Sequence, residues 1–257
     1  MSDKKYLSPE TFLWQARAAL VVAKKNVMIY YLKPPVITFG VIFPLFFYLA
    51  FAAGHAGPVE AMVPGITSMA LFFTASAVGP LVTPWERQAK TYERLVTSPA
   101  SLSAILAGDV LAGAPFGIVL SLLPLAIGLS FTEVHVVSVL QLVLGLAFGA
   151  LAFSALGVLL SSPASDTPSQ VMMLSNLVRL PVIFVSGVFI PFAQMPAWGR
   201  WLAPLSPLSY SADLIRTGFG EANYFPAGID VAALIGFTVV FLWVAHLLHR
   251  RTRDRGL

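Results

Sequence analysis

Lysine and arginine lie almost wholly on one side of a layout of six long apolar runs, and this asymmetry sets class, topology and orientation together. Of the sixteen basic residues, Lys4, Lys5, Arg17, Lys24, Lys25 and Lys33 precede the first run. Arg87, Lys90 and Arg94 fall between the second and third, and Arg250, Arg251, Arg253 and Arg255 follow the sixth. The loops after the first and third runs carry none. Cytoplasmic loops of membrane proteins hold the excess of Lys and Arg. The pattern therefore predicts both termini and the 83–103 loop in the cytoplasm, and a multi-pass protein of the inner (plasma) membrane.

The chain is 57% hydrophobic and 11% charged, where a soluble domain carries roughly 25% charge. No polar stretch is long enough for a separate soluble domain, so residues 1–257 read as one transmembrane domain. A pI near 9.5 would suggest nucleic acid in a soluble chain. Here the basic residues sit where topology and contact with anionic lipid account for them. The absence of cysteine excludes disulfides and thiolate metal sites. Met1 to Lys33 has neither the apolar core nor the small-residue cleavage site of a signal peptide.

A helix needs about 20 apolar residues to cross a bilayer. The spans are placed at about Val36–Ala53, Met62–Val82, Leu102–Ser130, Ser138–Leu160, Ser169–Ile190 and Ile229–Leu248. Strands do not fit, because the apolar runs are too long and do not alternate. Residues 9–33 read as an amphipathic helix. Phe12, Leu13, Ala16, Leu20, Ala23 and Val27 form its expected apolar face, with Gln15, Lys24 and Lys25 elsewhere, a pattern suited to the cytoplasmic membrane surface.

Residues 83–103 form the most charged internal loop. Glu86 and Lys90 stand four apart, which supports a short exposed helix by a few tenths of a kcal/mol; Lys90 and Arg94 have the same spacing. Ser98-Pro99 ends it. So short a helix is marginal alone in water, so the membrane surface or another protein must hold it, unless it is only a solvated connector. Residues 161–168 are a tight cytoplasmic turn. In the external segment 191–228, Trp198 and Trp201 share a helical face. Ser206 stands as a cap before Pro207, opening a short helix near Tyr210 to Thr217. Two short amphipathic helices that enter the outer leaflet fit this segment, and a plain surface cap is the alternative. The Gly187–Pro191 stretch should break the fifth span.

Arg179 lies about ten residues into the fifth span, roughly 15 Å deep at 1.5 Å per residue. Arginine at such depth costs about 2.5–3.5 kcal/mol on insertion scales, so it should face the protein interior or a wet cavity. Asn176 is one turn earlier on a similar face, and Pro181 frees a carbonyl and favours a bend. Cavity lining and structural pairing both remain open, with Asp109 of the third span as the candidate partner. Val185-Ser186-Gly187 with His246 and His249 invites an intramembrane serine protease reading. Ser186 lies near the outer face and both histidines near the inner one, although nucleophile and base must meet. His55 and His135 are single loop histidines. No metal-ligand spacing and no GxxxxGK[ST] motif occurs. The chain is not expected to be an enzyme, nor to carry a cofactor of its own.

RQAKTYERLVTSPASLSAILAGDVLAG (87–113) and FVSGVFIPFAQMPAWGRWLAPLSPLSYSADLIR (184–216) resemble, respectively, the coupling segment and the external re-entrant helices of type-2 ABC transporter permeases, most of which are exporters. The helix before the first span is similar to that family's interface helix. The likeness implies an all-α integral membrane fold. It has six transmembrane helices, an N-terminal amphipathic interface helix, a cytoplasmic coupling helix and external re-entrant helices between spans five and six. It implies a dimer of permeases, a homodimer rather than a heterodimer, each with a cytoplasmic ATP-binding subunit that holds ATP and Mg. Glu86, Arg87, Thr91, Glu93, Arg94 and Leu95 then fall in the coupling segment. Asn176, Arg179, Ser186 and Gly187 fall on the fifth span near the substrate path. No residue selects among drugs, polysaccharides, lipid-linked polymers and peptides as substrate. The competing reading is an ion-coupled secondary transporter using Asp109 and Arg179. Such folds usually carry internal repeats, and none is visible.

Overall fold

A computed structural model describes residues 9–33, 59–162, 167–189 and 195–254, with isolated positions between 36 and 50 and Phe192. Among the described residues the chain is helical, with no strand. The helices are α1 (Pro9–Asn26), prolonged by a π-helical turn Val27–Tyr31, then α2 (Val63–Ala77), α3 (Gly79–Gln88) and α4 (Tyr92–Val96). There follow α5 (Leu102–Phe131), α6 (Val139–Leu160), α7 (Pro168–Val185), α8 (Ala197–Leu202), α9 (Pro207–Gly218) and α10 (Ala227–Asp254).

Five stretches among the described residues are long and apolar enough to cross a membrane: Val63–Gln88, in which α2 runs into α3, then α5, α6, α7 and Ala227–Arg251 of α10. They correspond to the second to sixth expected spans. The first, Val36–Ala53, falls largely outside the described residues. Local chemistry sets the starts. The Ser101 hydroxyl accepts from the Ala104 amide at 3.1 Å to open α5, and α7 begins on Pro168, whose missing N–H costs nothing in a first turn. Gly187, at φ 78°, turns the chain just beyond α7, so the fifth span is shorter than its apolar run suggested.

Helix α2 is the central element, buried along nearly its whole length between α5, α6 and α9. Phe72 meets Phe153 of α6 edge-on, with centroids 5.1 Å apart, amid Met69, Leu71, Ala75, Leu146 and Ala150. Helix association in lipid relies on small residues that let backbones approach. A Cβ on Gly117 would stand 2.5 Å from the Ala75 Cβ and 2.8 Å from its Cα, so only glycine lets α5 come this close to α2. By contrast α10 is peripheral, with Asp230, Leu234, Ala245 and His249 as its most deeply buried residues.

Two expectations change. Helix α1 packs on α5 through Ala19, Val22, Ala23 and Asn26, while Phe12, Leu13 and Leu20 are exposed. The apolar set read from spacing is therefore split between two faces. The helix expected within residues 83–103 is also not continuous from Glu86 to Arg94. It is broken at Lys90, which takes a left-handed φ of 54°. The Thr91 amide donates to the Glu86 carbonyl at 2.9 Å and the Lys90 amide to that of Arg87 at 3.0 Å. This is the paired bonding that closes a helix C-terminus. Glu86 accordingly does not pair with Lys90.

Candidate functional site

The first part of the candidate site is built around α1, α3, α4 and the start of α5. Three polar contacts tie α1 to this region. The Gln15 side-chain oxygen accepts from the Ser101 amide at 2.8 Å, Lys25 forms an ion pair with Glu86, and Asn26 donates to Asp109 at 2.5 Å. Glu86, Asn26 and Asp109 are all buried. Tyr30 stacks on Trp85 with centroids 5.4 Å apart, and Lys33 lies 4.6 Å from the Trp85 ring centroid and 5.4 Å from that of Tyr30. Burial and the neighbouring Glu86 push the Tyr30 phenol well above its ordinary range, so it stays neutral.

A small cleft between α3, α4, α5 and the end of α10 is lined by Thr83, Glu86, Tyr92, Leu95, Asp109 and His249 among others. Arg87 lies over the Tyr92 ring, 5.2 Å from its centroid, and the Thr91 hydroxyl donates to the Glu86 carbonyl at 3.2 Å. Arg94 is exposed. The side chain of Glu93 lies outside the described residues. Of the six residues read as the coupling segment, Glu86 and Leu95 thus line the cleft, Arg87 packs on Tyr92, and Thr91 and Arg94 face outward.

On α7, Val171, Ser175, Arg179 and Ile183 form the buried stripe, four residues apart. Arg179 is 2% exposed and donates through Nη2 to the Ser76 backbone carbonyl of α2, while its Nε has no partner among the described residues. Asn176 lies off this stripe and is exposed, so the two do not share a face. Asp109 and Arg179 are not joined by an ion pair: Asp109 takes Asn26, and Arg179 takes Ser76. The ion-coupled reading loses the pairing on which it drew. Ser186 is buried and donates to the Ile183 carbonyl at 2.7 Å.

The segment between α7 and α10 holds the facing ends of those two spans. Helix α9 is buried against α6, α2 and α10. Ser206 stands at its cap position before Pro207, yet its hydroxyl reaches the Val182 carbonyl of α7 at 3.5 Å and makes no capping bond. Arg216 donates to the carbonyls of Gly187 and Val188 at 3.2 and 3.0 Å and to Glu221 at 2.9 Å. Asp213, three residues earlier, accepts from the amides of Tyr224 and Phe225 at 3.0 and 2.8 Å. One short helix therefore binds the end of α7 and the approach to α10. On the neighbouring α8, Trp198 and Trp201 are both exposed.

Comparison with known proteins bears on this architecture. The family model described as ABC-2 type transporter matches residues 17–219. The chain belongs to that family. The ABC-2 permease is similar to the inner membrane transport permease YadH of Escherichia coli, at 28% identity over 228 residues, covering 86% of this chain and 88% of the other. It is also similar to the daunorubicin resistance ABC transporter permease protein DrrB1 of Streptomyces coeruleorubidus, at 26% identity over 249 residues, covering 93% and 85%. With Nodulation protein J of Bradyrhizobium diazoefficiens it shares 31% identity over 170 residues, covering 63% and 62%. As an ABC-2 permease the chain is a non-catalytic membrane subunit, which implies an ATP-binding partner. The histidines of the rejected protease reading have other partners in the permease: His246 pairs with Ser103 at 3.3 Å and His249 with Ser161 at 3.4 Å.

Reading the ABC-2 permease from sequence missed Asn26, Asp213, Arg216 and Asp230. Asn26 follows Lys24 and Lys25, and Asp213 and Arg216 share a short helix with serines and a threonine, so nothing in the residue types marked them as buried. Asp230 opens a long apolar run, a signal applied to Arg179 and not to it. Asp230 is 1% exposed and its Oδ1 has no partner among the described residues.

Proposed function

We propose that the chain is the transmembrane half of an ATP-driven exporter, working as a homodimer with one cytoplasmic ATP-binding subunit per permease. Both termini lie in the cytoplasm. ATP and Mg are held by the partner subunit, whose closure pushes on the segment containing Glu86, Arg87, Thr91, Glu93, Arg94 and Leu95. The push reaches α1 through Lys25 and Asn26, and α5 through Asp109. Asn176, Arg179, Ser186 and Gly187 lie on the span that borders the substrate path between the two permeases. The exposed Asn176 suits that border, because an amide at this depth is poorly accommodated by lipid tails. Arg179 acts from behind, holding α7 against α2.

The observation that carries this reading is the extent of the family match, which takes in most of α1, all of the coupling segment and the external helices. The resistance named in one relative supports outward transport of a small molecule and leaves the substrate of this chain open. The test is co-purification from membranes with a candidate P-loop subunit, followed by ATP hydrolysis in proteoliposomes. Stable association and hydrolysis that depends on the permease are expected. A permease that moves substrate down an ion gradient without any ATPase would overturn the proposal.

A further inference from the structure

Helix α1 presents an outward face that the coupling contacts do not use. Arg17, the adjacent pair Leu20 and Val21, Lys24 and Met28 recur at three- and four-residue spacings along it, and all are exposed. Leu13 and Trp14 prolong the face towards the start of the helix, and Lys33 stands at its far end over the Trp85 ring. From Phe12 to Lys33 the sequence has four basic residues and no acidic one. Among the described residues neither Arg17, Lys24 nor Lys33 meets a carboxylate; the ion pair of this helix belongs to Lys25.

This mixture distinguishes the possible occupants. A wholly apolar face would suit hydrocarbon, and a wholly basic one a soluble acidic surface. Here cations are interleaved with leucine, valine and methionine on one face. Long basic side chains lay their stems on apolar surface and extend their heads to the nearest anion. At the boundary of a bilayer the apolar residues enter the acyl region and the cations reach headgroup phosphates. Lys33 is held ready by its two aromatic rings, and Trp85 is of the type that settles at that level.

We infer that Arg17, Lys24 and Lys33 bind anionic phospholipid headgroups of the cytoplasmic leaflet. Because the opposite face of the same helix is tied to the coupling segment through Gln15 and Lys25, and to α5 through Asn26, the charge of the bilayer sets the position of that segment. The headgroup assignment stands on α1 alone; its effect on coupling rests on the exporter reading.

The test uses the full permease in bilayers of phosphatidylcholine with and without phosphatidylglycerol. Spin-labelled forms of each lipid report which one is held at the protein surface. One well-placed cation near the membrane favours an anionic lipid by about fivefold, so a preference of at least this size is expected for the wild type. It should fall to none in Arg17→Gln/Lys24→Gln/Lys33→Gln, whose positions are exposed and tolerate substitution. It should persist in Arg250→Gln/Arg251→Gln, which removes cations elsewhere on the same side. An unchanged preference in the first variant, or an equal loss in the second, overturns the assignment. A preference lost when the ATP-binding subunit docks would give this face to protein and overturn it too. In the assembled complex, phosphatidylglycerol should raise ATP hydrolysis by the wild type and leave the first variant unmoved. Identical responses of the two would overturn the effect on coupling. If no ATP-binding subunit associates at all, the exporter reading falls, and the headgroup assignment is still decided by the permease alone.

Discussion

At the scale of single residues, buried charges carry most of what can be tested. Among the described residues Arg179 meets a backbone carbonyl and no carboxylate, so Arg179→Leu removes a burial cost of about 2.5–3.5 kcal/mol on insertion scales. Its level in the membrane should be equal or higher than wild type by quantitative blotting, while export falls. Arg179→Lys should recover part of the export if charge suffices, and little if the planar guanidinium is needed to reach Ser76. Asp213 supports a pH experiment. Burial lifts its carboxyl above the ordinary range, and the Phe225 and Tyr224 amides pull it back only in part. A carboxyl raised on folding contributes stability that is complete below its unfolded value and lost as pH rises through the folded one. Melting temperature should decline over that window, and Asp213→Asn should flatten the decline. The depth of Arg179 was legible from its position in the fifth span. Its partner was not, because a backbone carbonyl leaves no mark in the residue types.

At the scale of elements, the coupling segment divides at Lys90. A side chain in the left-handed region costs roughly 1–2 kcal/mol, and glycine avoids that cost. Lys90→Gly is therefore expected to be neutral or stabilising by up to about 1 kcal/mol. Lys90→Val should destabilise, because branching at Cβ suits this conformation least; thermal unfolding of the two variants checks the order. Charge reversal at the exposed Arg94 should leave folding within about 0.5 kcal/mol, yet reduce ATP-dependent transport if the partner docks there. Normal transport with Arg94→Glu would make the segment a mere connector. The sequence pointed to a short helix ended by Ser98-Pro99, and α4 does end just before that pair. The break at Lys90 was hidden because lysine is no turn residue, and because its four-residue spacing from Glu86 mimicked a helical pair. The face on which α1 packs was likewise hidden, since both of its faces are apolar.

At the scale of the whole molecule, the apolar runs set the ends of spans three and four closely, where Ser101 and Ser138 open the helices, whereas span two starts near Met62 as expected but runs past Val82 to Gln88. Span six runs further than its hydropathy indicated, because α10 continues through Arg250 and Arg251. Topology can be checked directly, as the chain has no cysteine of its own. Single cysteines at Gly57 and His135 should label from outside intact cells, and those at Lys90 and Thr252 should not. Outside labelling at Lys90 would invert the layout. The clamp that Arg216 makes on Gly187 and Val188 has a bearing on biogenesis. Its donor is translated 29 and 28 residues after the two acceptors. The bond can close only once α9 has followed α7 in synthesis, so order of synthesis sets an order of assembly, and a nascent chain stalled within this interval would leave the Gly187 and Val188 carbonyls without this donor.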